Sequence, residues 1–78
     1  MARRKLTGLN GRQVVKVLQH AGFEIVRVSG SHHVLRRPGF PTSKVIVPVH
    51  GAQDLPPGTV RSIISQSGLT ADEFMSFL

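Results

Sequence analysis

Residues Ser29-Gly30-Ser31-His32-His33-Val34-Leu35-Arg36-Arg37 gather more chemically capable groups than any other stretch of this chain. Two adjacent histidines follow a small-residue turn and precede an arginine pair. Histidine titrates near neutral pH, so it can both take and give a proton there. RNA cleavage by its own 2′-hydroxyl needs both acts. A base removes the hydroxyl proton and an acid protonates the leaving 5′-oxygen, each role being worth roughly 10²–10⁴-fold. Arg36, Arg37 or Lys44 could neutralise the phosphate as its charge grows. Ser31 could orient a histidine or bond a phosphate oxygen. This chemistry needs neither a metal nor a cofactor.

A metal centre is the competing use of the histidines. Successive strand residues point to opposite faces, so His32 and His33 cannot easily share an ion. The chain has no cysteine and only four acids, none close to the pair. Plain structural readings stand beside the functional ones. His33 reads as a half-buried strand residue, and His32 and His50 read equally as surface histidines. His20, near a helix end, suits the dipole as a cation.

Charge is unevenly spread. Residues 1–44 hold nine of the ten Lys/Arg and one acid, Glu24, giving +8; residues 45–78 hold Arg61 against three acids, giving −2. A polyanion, most commonly nucleic acid, is the natural partner of such a field. At 78 residues with 40% apolar composition, the chain makes one small folded domain, 1–78. Its apolar runs are too short for a transmembrane helix. The basic start, Arg3-Arg4-Lys5, is not followed by a signal-peptide core, so a cytoplasmic location is expected.

The elements that must position these groups can be read in order. Residues 1–9 form a flexible basic arm, with Arg3, Arg4 and Lys5 available to phosphate. Asn10 is a helix N-cap type. Val14, Val15, Val17, Leu18 and Ala21 then recur at helical spacing until Gly22, which predicts a helix over 11–21. Phe23–Val28, His33–Arg37 and Lys44–Val49 read as three short antiparallel strands, with Pro38–Pro41 as turn or loop. Prolines 56 and 57 open a second helix, stopped at Gly68. Thr70 and Glu73 form a capping box for a short helix over 71–77, with Leu69 and Phe74 at the staple positions. The fold class is α+β, with helices on one sheet face and the other face open.

A second hairpin centred on Pro41 would oppose Leu35 to Val47, His33 to Val49 and His32 to His50. His32, Arg36 and His50 would then share the open face, with opposed Cβ atoms roughly 4.5–5.5 Å apart.

Gly30-Ser31-His32-His33-Val34-Leu35-Arg36 resembles the signature of the HicA (YcfA-like) toxin family. So do Val45-Ile46-Val47-Pro48-Val49-His50, Asp54-Leu55-Pro56-Pro57-Gly58-Thr59-Val60-Arg61-Ser62-Ile63-Ile64 and Gln66-Ser67-Gly68-Leu69. The first helix, ending in Ala21-Gly22-Phe23, fits as well, so the similarity runs over about residues 9–77. The resemblance implies a double-stranded-RNA-binding-domain-like fold and the toxin role in a type II toxin–antitoxin system. It implies a ribosome-independent endoribonuclease that cleaves mRNA and arrests translation and growth. It also implies neutralisation by an adjacently encoded HicB antitoxin that covers the active site, with oligomers forming only through that complex. The family's catalytic histidine falls on His32, with His33 in reserve and His50 matching a recurrent histidine. The Pro38–Ser43 loop departs from the family's common pattern. Two other classes remain open. One is a non-catalytic RNA-binding module using the same basic face; the other is an interaction protein whose basic surface docks an acidic partner.

Overall fold

The computed structural model describes residues 6–78, and of residues 40–43 the backbone alone. Its elements are α1 (Gly11–His20), β1 (Glu24–Ser29), β2 (His32–Arg37), β3 (Phe40–Pro48), α2 (Pro57–Ser67) and α3 (Ala71–Ser76). The strands form one antiparallel sheet in the order β1-β2-β3. This is the expected α+β arrangement, consistent with a double-stranded-RNA-binding-domain-like fold.

Helix α1 starts where its cap chemistry dictates. Asn10 Oδ1 accepts from the Gln13 N–H at 3.0 Å, and the Asn10 N–H donates to Gln13 Oε1 at 2.9 Å. Two of the amides that a helix start leaves unpaired are thus satisfied. Val14, Val15, Val17 and Leu18 supply the buried stripe, and Gly22 ends the helix at φ +100°. The first residue, Gly11, meets β3 directly. A Cβ there would run into the Pro48 carbonyl oxygen and lie 2.9 Å from Val49 Cα. Sequence reasoning saw the cap beside it but not this backbone-to-backbone approach.

Leu35, Val45 and Val47 form the sheet's buried face and pack with α1, with Val60, Ile63 and Ile64 of α2, and with Phe74 of α3. Leu9 and Leu55 complete this core at 7% and 6% exposure. Their backbones are joined too, the Leu55 N–H donating to the Leu9 carbonyl at 2.7 Å. The flexible-arm reading of residues 1–9 is thereby corrected at its end, because Leu9 is a core residue. Arg3, Arg4 and Lys5 lie outside the described residues.

The second hairpin turns earlier than expected. Pro38-Gly39 alone forms the turn, and Phe40 and Pro41 already belong to β3. Proline followed by glycine at φ +84° is the type II pattern. Such turns fit the strand twist poorly, and an irregularity between Leu35 and Arg37 separates the turn from the regular ladder. Beyond it Leu35 opposes Val45, His33 opposes Val47 and His32 opposes Pro48. The register is shifted by two residues from the expected one. An even shift preserves which face each side chain takes, but it removes the His32–His50 opposition.

Helix α2 opens with Pro57 and no side-chain cap, and ends at Gly68 in the left-handed region (φ +78°). The predicted capping box of α3 is present, with the Thr70 N–H donating to Glu73 Oε1 at 2.9 Å and Thr70 Oγ1 accepting from the Glu73 N–H at 3.0 Å. These Thr70 contacts, with the Arg37 charge as a lesser cause, hold the Glu73 carboxyl below its ordinary range.

Candidate active site

The turn before the histidines is built from its glycine. Ser29 pairs directly with His32, leaving Gly30-Ser31 as a two-residue loop with Gly30 at φ +57°. Glycine in the first central position with a positive φ is the tight hairpin type that matches strand twist. His32 is thus the first residue of β2, and its position follows from the turn.

His32 is exposed on the open sheet face. It lines a groove of about 400 Å³ between that face and α2, with Ile46 and Pro48 on one wall and Gly58, Thr59, Ser62 and Gln66 on the other. The first turn of α2 carries no acid, so its positive dipole end stands in this groove unopposed from within the helix. Cross-strand pairing sets Arg27 opposite Val34 and Ser29 opposite His32. Arg27 is therefore the diagonal neighbour of His32 on the same face, about 7–8 Å away between strands. Sequence reasoning missed Arg27, although a two-residue turn at Gly30-Ser31 is enough to place it. Arg36 and Lys44 are exposed on this face as well. Arg36 lies four residues along β2, roughly 13 Å from His32 at strand rise.

Other expected site residues lie elsewhere. Arg37 takes the helix side: its Nε stands 3.9 Å from where a Cβ on Gly22 would be, and its charge acts on Glu73. It does not join His32. His50 follows Val49, whose N–H still donates to the Ser31 carbonyl at 2.6 Å, and the His50 carbonyl closes a turn with the Gln53 N–H at 3.1 Å. His50 is exposed one step past the paired strand. Ser31 is half-buried, its carbonyl fixing the end of β3.

His33 faces the opposite way. It is half-buried and lines a second groove of about 460 Å³ against α1, with Arg12, Lys16, Ile25 and Val49. Its Nδ1 is buried without a hydrogen-bond partner among the described residues. His20 is exposed at the end of α1 and stacks on Phe77, ring centroids 6.5 Å apart. Among the described residues, no three His, Cys, Asp or Glu side chains converge as a metal-ligand group. No helix among them is long and apolar enough to cross a membrane.

The exposed imidazole, the hydroxyls of Thr59 and Ser62, and the cations of the open face can together handle a proton beside an anionic backbone. A family model described as the HicA toxin of bacterial toxin–antitoxin systems matches residues 11–69, most of the chain. No curated protein matches it.

Proposed function

The chain belongs to the HicA toxin family of bacterial toxin–antitoxin systems, and on that premise we propose that it is a metal-independent endoribonuclease that cleaves mRNA through His32. Toxins of this family are generally ribonucleases, and a toxin of such a system implies an antitoxin partner. One observation carries the choice of residue. Of the four histidines, His32 is the one exposed on the open sheet face in a groove that adjoins cations.

In the proposed reaction the His32 imidazole takes the proton of an RNA 2′-hydroxyl. The 2′-oxygen forms a bond to phosphorus, and the bond from phosphorus to the 5′-oxygen breaks. That oxygen leaves with a proton from the imidazolium, so the products are a 2′,3′-cyclic phosphate and a 5′-hydroxyl. Arg27 and the positive end of α2 offset the charge growing on the phosphate. Arg36 and Lys44 hold the strand further along the open face. The observed register favours His32 serving in turn as base and acid over a His32–His50 pair. Growth arrest follows from loss of mRNA, in the cytoplasm where mRNA is translated. Neutralisation by a HicB-type antitoxin follows from the family.

Purified toxin in excess chelator should cleave RNA to these products, and His32→Ala should lose that cleavage. Full activity in the variant would overturn the assignment, and 5′-phosphate products would point to a metal-dependent hydrolysis instead. A second reading is a non-catalytic RNA binder, favoured by the Arg27, Arg36 and Lys44 face, which stands without His32. RNA binding that falls steeply with salt, with no cleavage by the wild type, would establish it.

A further inference from the structure

Strand β1 is the feature of the fold that the proposed reaction leaves unused. Among the described residues it pairs with β2 on one side only, because the sheet order is β1-β2-β3. All six of its residues are exposed. Three of the five large apolar side chains left exposed among the described residues stand on it: Ile25 at 40%, Val26 at 52% and Val28 at 56%. Natural sheets usually blunt such an edge by shortness, charge, bulges or cover. Here one bulge at Val26 and one cation, Arg27, do not hide the three apolar side chains.

We propose that the free edge of β1 receives an extended, net-acidic segment of the antitoxin as a fourth strand. The proposal rests on the toxin–antitoxin reading above. Open main-chain amides and carbonyls along a strand of about 20 Å are matched only by another polypeptide backbone. RNA cannot continue the ladder. Charge selects among polypeptides. Arg27 lies in the strand, and Arg12 and Lys16 stand across the α1 groove that Ile25 lines. A second copy of this chain would bring another net charge of +6 to the same edge, which opposes self-pairing, whereas an acidic segment is drawn in. Apolar residues alternating along that segment would cover Ile25 and Val28 on one face, and its acids would meet Arg12 and Lys16 over the groove.

The test uses the full chain with the co-expressed product of the neighbouring antitoxin frame. In the complex, amides of β1 should exchange at least about tenfold more slowly than in the free toxin, since a new ladder shields them. The double variant Val26→Lys, Val28→Lys should bind the antitoxin about tenfold or more weakly, since a charged edge resists pairing. Its melting temperature and RNA cleavage should match wild type, because both side chains are largely exposed. Affinity within twofold of wild type, or unchanged β1 exchange in a formed complex, would overturn the edge proposal alone. Equal protection of β1 by RNA, or protection that grows with toxin concentration in the absence of antitoxin, would overturn it in favour of those occupants. Failure of the wild-type chain to form any complex would overturn the partner reading and this proposal with it.

Discussion

The two sides of β2 place neighbouring histidines in different surroundings. His32 meets water, an open groove and a face that carries Arg27, Arg36 and Lys44. His33, one residue on, is pressed toward α1 with a buried nitrogen that finds no hydrogen-bond partner among the described residues. An exposed imidazole can exchange protons with a substrate at little structural cost. A half-buried one with an unpaired nitrogen costs stability, since a buried polar atom left unsatisfied is worth about 1–3 kcal/mol against folding. Adjacency in sequence, in a strand, separates two side chains more completely than a gap of one residue would.

Substitutions on the two sides should separate activity from stability. The largest effect belongs to His32→Ala, which should lower the RNA cleavage rate by about 10²–10⁴-fold. Stability should stay within about 0.5 kcal/mol because the site is exposed. Cleavage assays beside denaturant melts of the same preparation check both halves. Next comes Gly11→Ala. Its methyl would strike the backbone of β3, and overpacking of this kind costs typically about 1–3 kcal/mol; a matching drop in the urea midpoint is expected. His33→Val should behave in the opposite way to both. Cleavage should persist, and stability should hold or rise by about 1 kcal/mol as the unpaired nitrogen is removed. Loss of cleavage with an intact fold would move the chemistry to the other side of β2. The smallest effect is at Glu73. Its carboxyl is held below the ordinary range mainly by Thr70, so its contribution is present above the ordinary glutamate value and is lost as pH falls through the lower folded value. Glu73→Gln should flatten that acid limb in melts taken across pH, lowering neutral stability slightly and leaving stability in acid nearly unchanged.

Much of this was legible before the structure. Asn10, Gly22, Thr70 and Glu73 mark helix ends by local hydrogen bonding, which short sequence windows capture. Alternation along β2 and β3 assigned Leu35, Val45 and Val47 to the core, and that assignment survived a two-residue register error because the shift was even. The register itself was not legible, since it depends on how Pro38-Gly39 turns and where the ladder then slips. Arg37 was named as a phosphate contact for its charge, although the same alternation sets it on the face of Leu35. Its neighbour Arg36 shares the face of His32, while Arg37 follows Leu35 to the helix side and acts on Glu73. Gly11 and Leu9 were missed because their partners, Pro48 and Leu55, are distant in the chain. No local pattern announces such a contact.

The backbone bond between Leu9 and Leu55, with the bridge between Asn10 and Asp54 beside it, has a consequence for the order of folding. The loop it closes contains the whole sheet. Its entropy cost is met only once the sheet has drawn the two segments together. The start of α1 and the approach to α2 are then the last parts to lock and the first to part. Since α2 walls the His32 groove, the sheet should form first and the groove after it. Faster amide exchange at Leu55 than at Leu35, in the central strand, is the expected trace of that sequence of events. A chain that opens at this seam keeps His32 and loses the wall across from it, so the candidate site is assembled and lost at a place far from the imidazole.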